Sequence, residues 1–122
     1  MLVRIDPNSS VPLFAQIAAS IRMDAAAGRT RPGDRLPAAR DVAHSLGVNL
    51  HTVLHAYQQL RDEGLVDMRR GRGAVVTEAV APLSALHDDI VALAARARAL
   101  SLPADTLASL VTEAALEKET RS

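Results

Sequence analysis

The stretch NLHTVLHAYQQLRDEG, residues 49–64, decides the fold. Its apolar residues recur at helical spacing, and it is bracketed by Asn49, a strong N-cap residue, and Gly64, a residue that ends helices. At about 100° per residue, Val53, Ala56, Tyr57 and Leu60 share one face, the one that packs inward. His51, His55, Gln58 and Asp62 lie on the other side. Two histidines four residues apart admit three readings: a metal pair, part of a core, or a face that touches something outside the protein.

The sequence on either side narrows the choice. Upstream, residues 38–46 read as a short helix with Val42, Ala43 and Leu46 inward and Gly47 as its stop, so SLGVN joins two short helices as a helix-turn-helix. Before it, RTRPGDRLP (29–37) is a loop punctuated by Pro32, Gly33 and Pro37. Before that, Leu13, Phe14, Ile17, Ile21 and Ala25 mark a first helix, with Ser10 as its expected N-cap, Pro12 in its first turn and Gly28 at its end. LVRID (2–6) alternates weakly and reads as a short strand. Downstream, LVDM and AVVT flank RRGRG (69–73), two β-prone runs around a basic, glycine-rich tip, which predicts a hairpin. The expected fold is mainly α. Its N-terminal part is a winged helix-turn-helix of three helices and a β-hairpin wing, residues 1–78.

Beyond residue 78 the texture changes. EAVAP (78–82) reads as a linker. Leu83, Leu86, Ile90, Leu93, Ala97 and Leu100 then step by threes and fours, a seam of coiled-coil type. SLPAD interrupts it, with Pro103 at a new helix start. Leu107, Leu110, Val111 and Ala114 form a second apolar face before EKETRS, which reads as a charged, frayed tail. Two helices of about 16 residues cannot bury both stripes alone. A second copy of the chain is the simplest cover, so residues 79–122 are expected to be a two-helix dimerisation segment. The competing arrangement packs these helices back onto the N-terminal ones.

Composition excludes several classes of protein. The 122 residues contain no cysteine, so neither a disulfide framework nor a thiolate site is available, which fits the cytoplasm. No apolar run reaches about 18 residues, so no membrane span is expected, and MLVRID carries charge where a signal peptide is apolar. Lys plus Arg and Asp plus Glu balance at 14 each, but residues 1–77 hold ten Arg and seven acids while residues 78–122 hold four basic residues and seven acids. Nearly all the basic residues are Arg, the planar donor fork suited to phosphates and guanine edges. No enzyme constellation is present. The carboxylates of RDEG have no evident partner, and Asp88 and Asp89 diverge on a helix. RGRG lacks the Lys-Ser/Thr of a phosphate loop, and no serine elbow appears. For the His51/His55 pair, zinc would require a third ligand from His44, His87 or a partner chain, since Asp62 lies two turns away. No metal and no cofactor are expected.

The ordered motifs from Pro12 to Val76, PLFAQIAASIR, RPGDRLPAAR, LGVN, TV, AYQQL, EGL and RRGRG, resemble the DNA-binding domain of GntR-type bacterial transcription regulators. With a tail of about 45 residues in place of a large effector domain, the chain looks most like the YtrA-type subfamily, whose short two-helix segment pairs subunits. The resemblance implies a sequence-specific regulator, most simply a homodimeric repressor on a roughly palindromic double-stranded DNA operator, controlling a nearby operon. It carries Arg40 over as a DNA contact at the start of the first motif helix, and Arg70 and Gly71 as wing contacts. Two departures stand out. Ala38 replaces a capping Ser common in the family, and Leu50 stands where relatives often place a guanine-reading Arg.

Within that frame the recognition helix is 50–63 and the wing 69–73. His51, Thr52 and His55 lie in the half of the helix that enters a major groove, where about three or four side chains reach base edges. Asn49 either caps the helix or bonds a phosphate. Leu50 either joins the core, being about 60° from Val53, or touches a thymine methyl. Arg69, Arg70 and Arg72 can clamp phosphates or enter a narrow minor groove, with Gly71 letting the backbone approach. Arg35, in the loop motif, is structural or phosphate-directed. Two rival readings stay in view. One is a regulator that binds a small molecule at its C-terminal helices, although no effector can be identified; the other is a protein-interaction module with a basic face for an acidic partner.

Overall fold

The central element is the helix over Leu50–Asp62, labelled α3 below. In this computed structural model, which describes residues 3–121, it follows α1 (Leu13–Ala26) and α2 (Ala39–Leu46). After it come β1 (Val66–Arg69), β2 (Gly73–Val76), a single 3-10 turn (Glu78–Val80), α4 (Ala81–Ala99) and α5 (Ala104–Arg121). The fold is mainly helical, with one antiparallel hairpin.

Val53, Ala56, Tyr57 and Leu60 are buried, and they meet Ile17, Ala18 and Ile21 of α1 and Val42 and Ala43 of α2 in one core. Each large side chain taken out of water there contributes about 1.5–3 kcal/mol. α1 and α3 run side by side in the same direction. Phe14 stacks on His55, and Arg22 grips Glu63 the same number of residues further along. The turn between α2 and α3 depends on Gly47. Its φ of 68° is left-handed, and it lets Val48 N–H reach the Ala43 carbonyl at 3.0 Å, closing α2. Gly64 ends α3 through the matching bond from Leu65 N–H to the Leu60 carbonyl.

The hairpin pairs Val66 with Val76 and Arg69 with Gly73. Val66, Ala74 and Val76 face the core, whereas Val75 lies on the other face. It is nonetheless only 1% exposed. Its neighbours across the ladder are Asp67 on β1 and Arg35 on the loop before α2. The segment is a loop, as its Pro and Gly content predicts, joined to β2 by one isolated bridge at Arg35 and by backbone bonds on either side of it. Gly33 N–H donates to the Val76 carbonyl, Val76 N–H to the Asp34 carbonyl and Leu36 N–H to the Ala74 carbonyl, all within 2.9 Å.

Three local expectations are corrected. LVRID forms no strand over its described residues: Val3 and Ile5 lean on the core, and Arg4 N–H donates to Ser20 Oγ at 3.1 Å. Ser10 does not cap α1. The helix starts after Pro12, and Gln16 organises its entry, accepting from Asp6 N–H (2.6 Å) and donating to the Asp6 and Val11 carbonyls. EAVAP is no linker. Thr77 caps the 3-10 turn through its hydroxyl, Val80 is buried, and Leu83 packs on the core.

Close contacts divide the chain into Met1–Ala85 and Leu86–Ser122. In the second unit α4 ends at a turn in which Ser101 adopts a φ of 58° and Leu102 N–H donates to the Ala97 carbonyl at 2.9 Å. α5 then continues to Arg121, so the backbone of the expected frayed tail is helical as far as it is described, while Ser122 and the side chains of residues 118–121 lie outside the described residues. Apart from this turn α4 and α5 share almost no close contact.

Candidate nucleic-acid interface

With Val53, Ala56, Tyr57 and Leu60 turned inward, the free side of α3 carries Leu50, His51, Gln58 and Arg61, all exposed, and Leu54, half-buried. Asn49 is the N-cap, its Oδ1 accepting from His51 N–H at 2.8 Å. The cap therefore uses the amide oxygen and leaves the amide nitrogen as a donor. Leu50 is 38% exposed and absent from the core, which settles its position as outward. Thr52 and His51, with Leu13, Phe14 and His55, line an open cleft between the starts of α1 and α3.

His55 sits differently from His51. Its ring lies parallel to Phe14, with centroids 3.7 Å apart and planes 15° from parallel. It therefore occupies the flank of α3 that faces α1, with one ring face covered by Phe14, although the residue as a whole is exposed. Among the described residues no three His, Cys, Asp or Glu side chains converge as a metal site would require.

Two polar clasps hold α3 in place. Tyr57 Oη donates to the Pro37 carbonyl at 2.6 Å, tying the helix to the segment that enters α2, and burial pushes its phenol up to about 12. Arg22 binds Glu63 through two parallel bonds, Nε at 2.7 Å and Nη2 at 2.6 Å. The Arg22 hydrogen bond, against the opposing effect of burial, holds the Glu63 carboxyl below its ordinary range, and the same bond raises Arg22.

Arg40 stands exposed in the first turn of α2, and Ala38 supplies no side-chain cap there, as its replacement of Ser implies. The wing tip is Arg70-Gly71-Arg72, one β-turn closed by Arg72 N–H on the Arg69 carbonyl at 3.0 Å. Gly71, with φ 79°, occupies its third position, where positive φ disfavours other residues. Arg69 is already engaged, its Nε 3.3 Å from Asp67 Oδ2. Among the described residues Arg40, Arg70, Arg72 and Arg35 have no ion-pair partner.

In the second unit the seam residues Leu86, Ile90 and Leu93 are exposed, and Leu100 is 74% exposed. On α5 Leu110, Val111 and Ala114 are exposed and Leu107 is half-buried. Two seam positions are occupied within the chain: Leu83 lies against the first unit's core, and Ala97 is buried at the turn. Sequence reading missed Leu54, Val91, Leu116 and the role of Phe14. Val91 and Leu116 lie off the periodic stripes, and the helical spacing of Phe14 marks it only as one of the apolar residues of the first helix.

Three helices, the second and third joined by a turn at Gly47, and the arginine-tipped hairpin that follows them make this a winged helix-turn-helix protein. It belongs to the GntR family: the description "Bacterial regulatory proteins, gntR family" matches residues 13–76. That is a family of transcription regulators, not of enzymes. The chain is 38% identical over 77 residues to the "HTH-type transcriptional repressor YtrA" of Bacillus subtilis (strain 168), covering 63% of this chain and 59% of that protein. It is 36% identical over 75 residues to the "HTH-type transcriptional regulator Rv1152" of Mycobacterium tuberculosis (strain ATCC 25618 / H37Rv), covering 62% of each. The matched part is thus about three-fifths of these two relatives. Among solved structures, "YtrA from Sulfolobus acidocaldarius, a GntR-family transcription factor" is similar with a TM-score of 0.61 and 36% identity, over 81% of this chain and 99% of that one. No helix among the described residues is long and apolar enough to cross a membrane.

Proposed function

We propose that this chain is a homodimeric transcription repressor that binds a roughly palindromic DNA operator in the cytoplasm. Residues 1–78 bind DNA and residues 79–122 pair the subunits. The observation that carries the reading is the free side of α3: capped by Asn49, uncovered within its unit, and accompanied by arginines on α2 and the wing that have no partner among the described residues. In a winged helix-turn-helix that side enters the major groove. His51, Thr52 and Leu50 then face base edges, with His55 at the flank beside Phe14. Arg40, the Asn49 amide, Arg69, Arg70 and Arg72 serve the backbone or the minor groove, and Gly71 permits the close approach. Arg69 must exchange Asp67 for a phosphate when it does so.

The dimer follows from the second unit. α4 and α5 scarcely touch each other, and Leu86, Ile90, Leu93, Leu100, Leu110 and Val111 are exposed on them. Large apolar side chains at this density need a cover, and a symmetric second copy provides one with matching stripes. Two α3 helices related by a two-fold axis then read two half-sites. Selection of bound fragments from genomic DNA, followed by affinity measurements at several salt concentrations, tests the reading. A shared, roughly palindromic sequence with affinity falling steeply in salt is expected. Retention of no common sequence refutes it.

A further inference from the structure

α3 places two leucines on a flank outside its core cluster. Leu50 is exposed and Leu54 half-buried, and neither packs in the core cluster. Four residues apart, they are neighbours on one edge of the helix. His51 and Gln58 share that free side. A single exposed leucine on a protein surface needs no explanation. Two adjacent ones, in the half of a recognition helix that meets base edges, put an apolar edge beside the polar His51 and Thr52. Neither leucine can donate to or accept from a base. Among the groups that base pairs present in the major groove, one is apolar, the C5-methyl of thymine.

We infer that Leu50 and Leu54 are specificity-determining residues that read thymine methyl groups in the major groove. The inference rests on the DNA-binding reading and deepens it by naming the base. Gln58, one turn beyond Leu54, is the side-chain type that pairs bidentately with adenine N6 and N7. Leucine on a thymine and glutamine on an adenine together select A·T pairs under the middle of α3. The methyl group is recognised by exclusion of water rather than by a directed bond, so each contact contributes a modest factor. Covering one methyl is worth about fourfold in affinity.

The decisive experiment alters the DNA and leaves the protein intact. An operator obtained by fragment selection is synthesised with each thymine in turn replaced by deoxyuridine, which removes the C5-methyl and nothing else. Full-length protein is titrated against each duplex. One or two thymines in each half-site are expected to show a loss of about fourfold. Leu50→Ala and Leu54→Ala proteins are expected to bind the parent more weakly and to become insensitive to deoxyuridine at their own position. If an operator is selected but every deoxyuridine duplex binds like the parent, the leucine assignment is overturned while DNA recognition stands. If no sequence is selected at all, both fall.

Discussion

Asp24 is a carboxylate buried to 1% exposure at the end of α1, and its replacement by Ala tests how the loop carrying Arg35 and Leu36 is held. It accepts the Thr30 hydroxyl and, at 2.7 Å, Arg29 Nε. The two contacts differ in worth. The Arg29 side chain is 63% exposed, so solvent screens its charge and that bond contributes at most about 1 kcal/mol. Thr30 is 6% exposed, and a buried hydroxyl left without an acceptor costs about 1–3 kcal/mol. Asp24→Ala regains part of the cost of burying a carboxylate, so a net loss of about 2 kcal/mol is expected, which for a unit of this size lowers the melting temperature by about 10 °C. Burial alone would raise the Asp24 carboxyl, but the bonds from Thr30 and Arg29 and the charge of Arg29 outweigh it and leave it below its ordinary range. A lowered folded value means that the contribution is fully present above the ordinary carboxylate pKa and fades as pH falls through the folded one. Thermal unfolding followed by circular dichroism at fixed protein concentration should therefore show a shallower acid slope for Asp24→Asn than for the parent. In a Thr30→Val background, Asp24→Ala should cost markedly less, because no hydroxyl is orphaned. A cost under about 0.5 kcal/mol, or one unchanged by Thr30→Val, refutes the account.

Tyr57 is the sole tyrosine, so ultraviolet titration observes it alone, and a midpoint near 12 is expected. Because its folded value is raised, its contribution is present below about pH 10 and lost as pH rises through the folded value; Tyr57→Phe should cost about 1 kcal/mol in urea unfolding. Leu86→Asp combined with Leu93→Asp should yield monomers by sedimentation and much weaker operator binding, and a variant that stays dimeric would contradict the proposed pairing. Arg70→Ala should weaken binding to all sequences alike and reduce the salt slope by about one if the side chain holds phosphate, whereas a change in sequence preference would assign it to bases.

What the sequence reveals of the fold is what is encoded locally. Asn49, Gly47 and Gly64 mark helix ends because cap geometry depends on one or two residues, and all three act as their positions predict. Ser10 misleads because a cap can be outcompeted at a distance: Gln16 makes three bonds to the preceding chain and moves the helix start to Leu13. The PGDRLP segment is legible as a loop, but its single bridge to β2 is not, since the partner lies some forty residues away and only the burial of Leu36 gives it a side-chain signature. A helical wheel separates the inward from the outward side of α3 but cannot tell which flank meets α1. The stack of His55 on Phe14 therefore escaped it. For Leu50, about 60° from Val53, the wheel supports either side, and only the structure decides it, leaving Leu50 38% exposed and outside the core cluster.

The electrostatics follow from the same distinction between composition and placement. A formal net charge of zero argues against a nucleic-acid partner if charge is treated as a total. In the structure the charges are sorted. Glu63 neutralises Arg22, Asp24 engages Arg29, Asp62 lies 3.5 Å from Arg61, and Asp67 restrains Arg69. These acids sit beside arginines that serve the scaffold or wait at the wing's base. Arg40 at the start of α2, and Arg70 and Arg72 at the wing tip, have no ion-pair partner among the described residues. Coulomb attraction weakens within about 8–10 Å at physiological salt, so a phosphate approaching the wing tip is governed by the charges nearest to it, Arg70 and Arg72 among them. An electrically neutral chain can thus present a cationic edge wherever its acids are committed elsewhere.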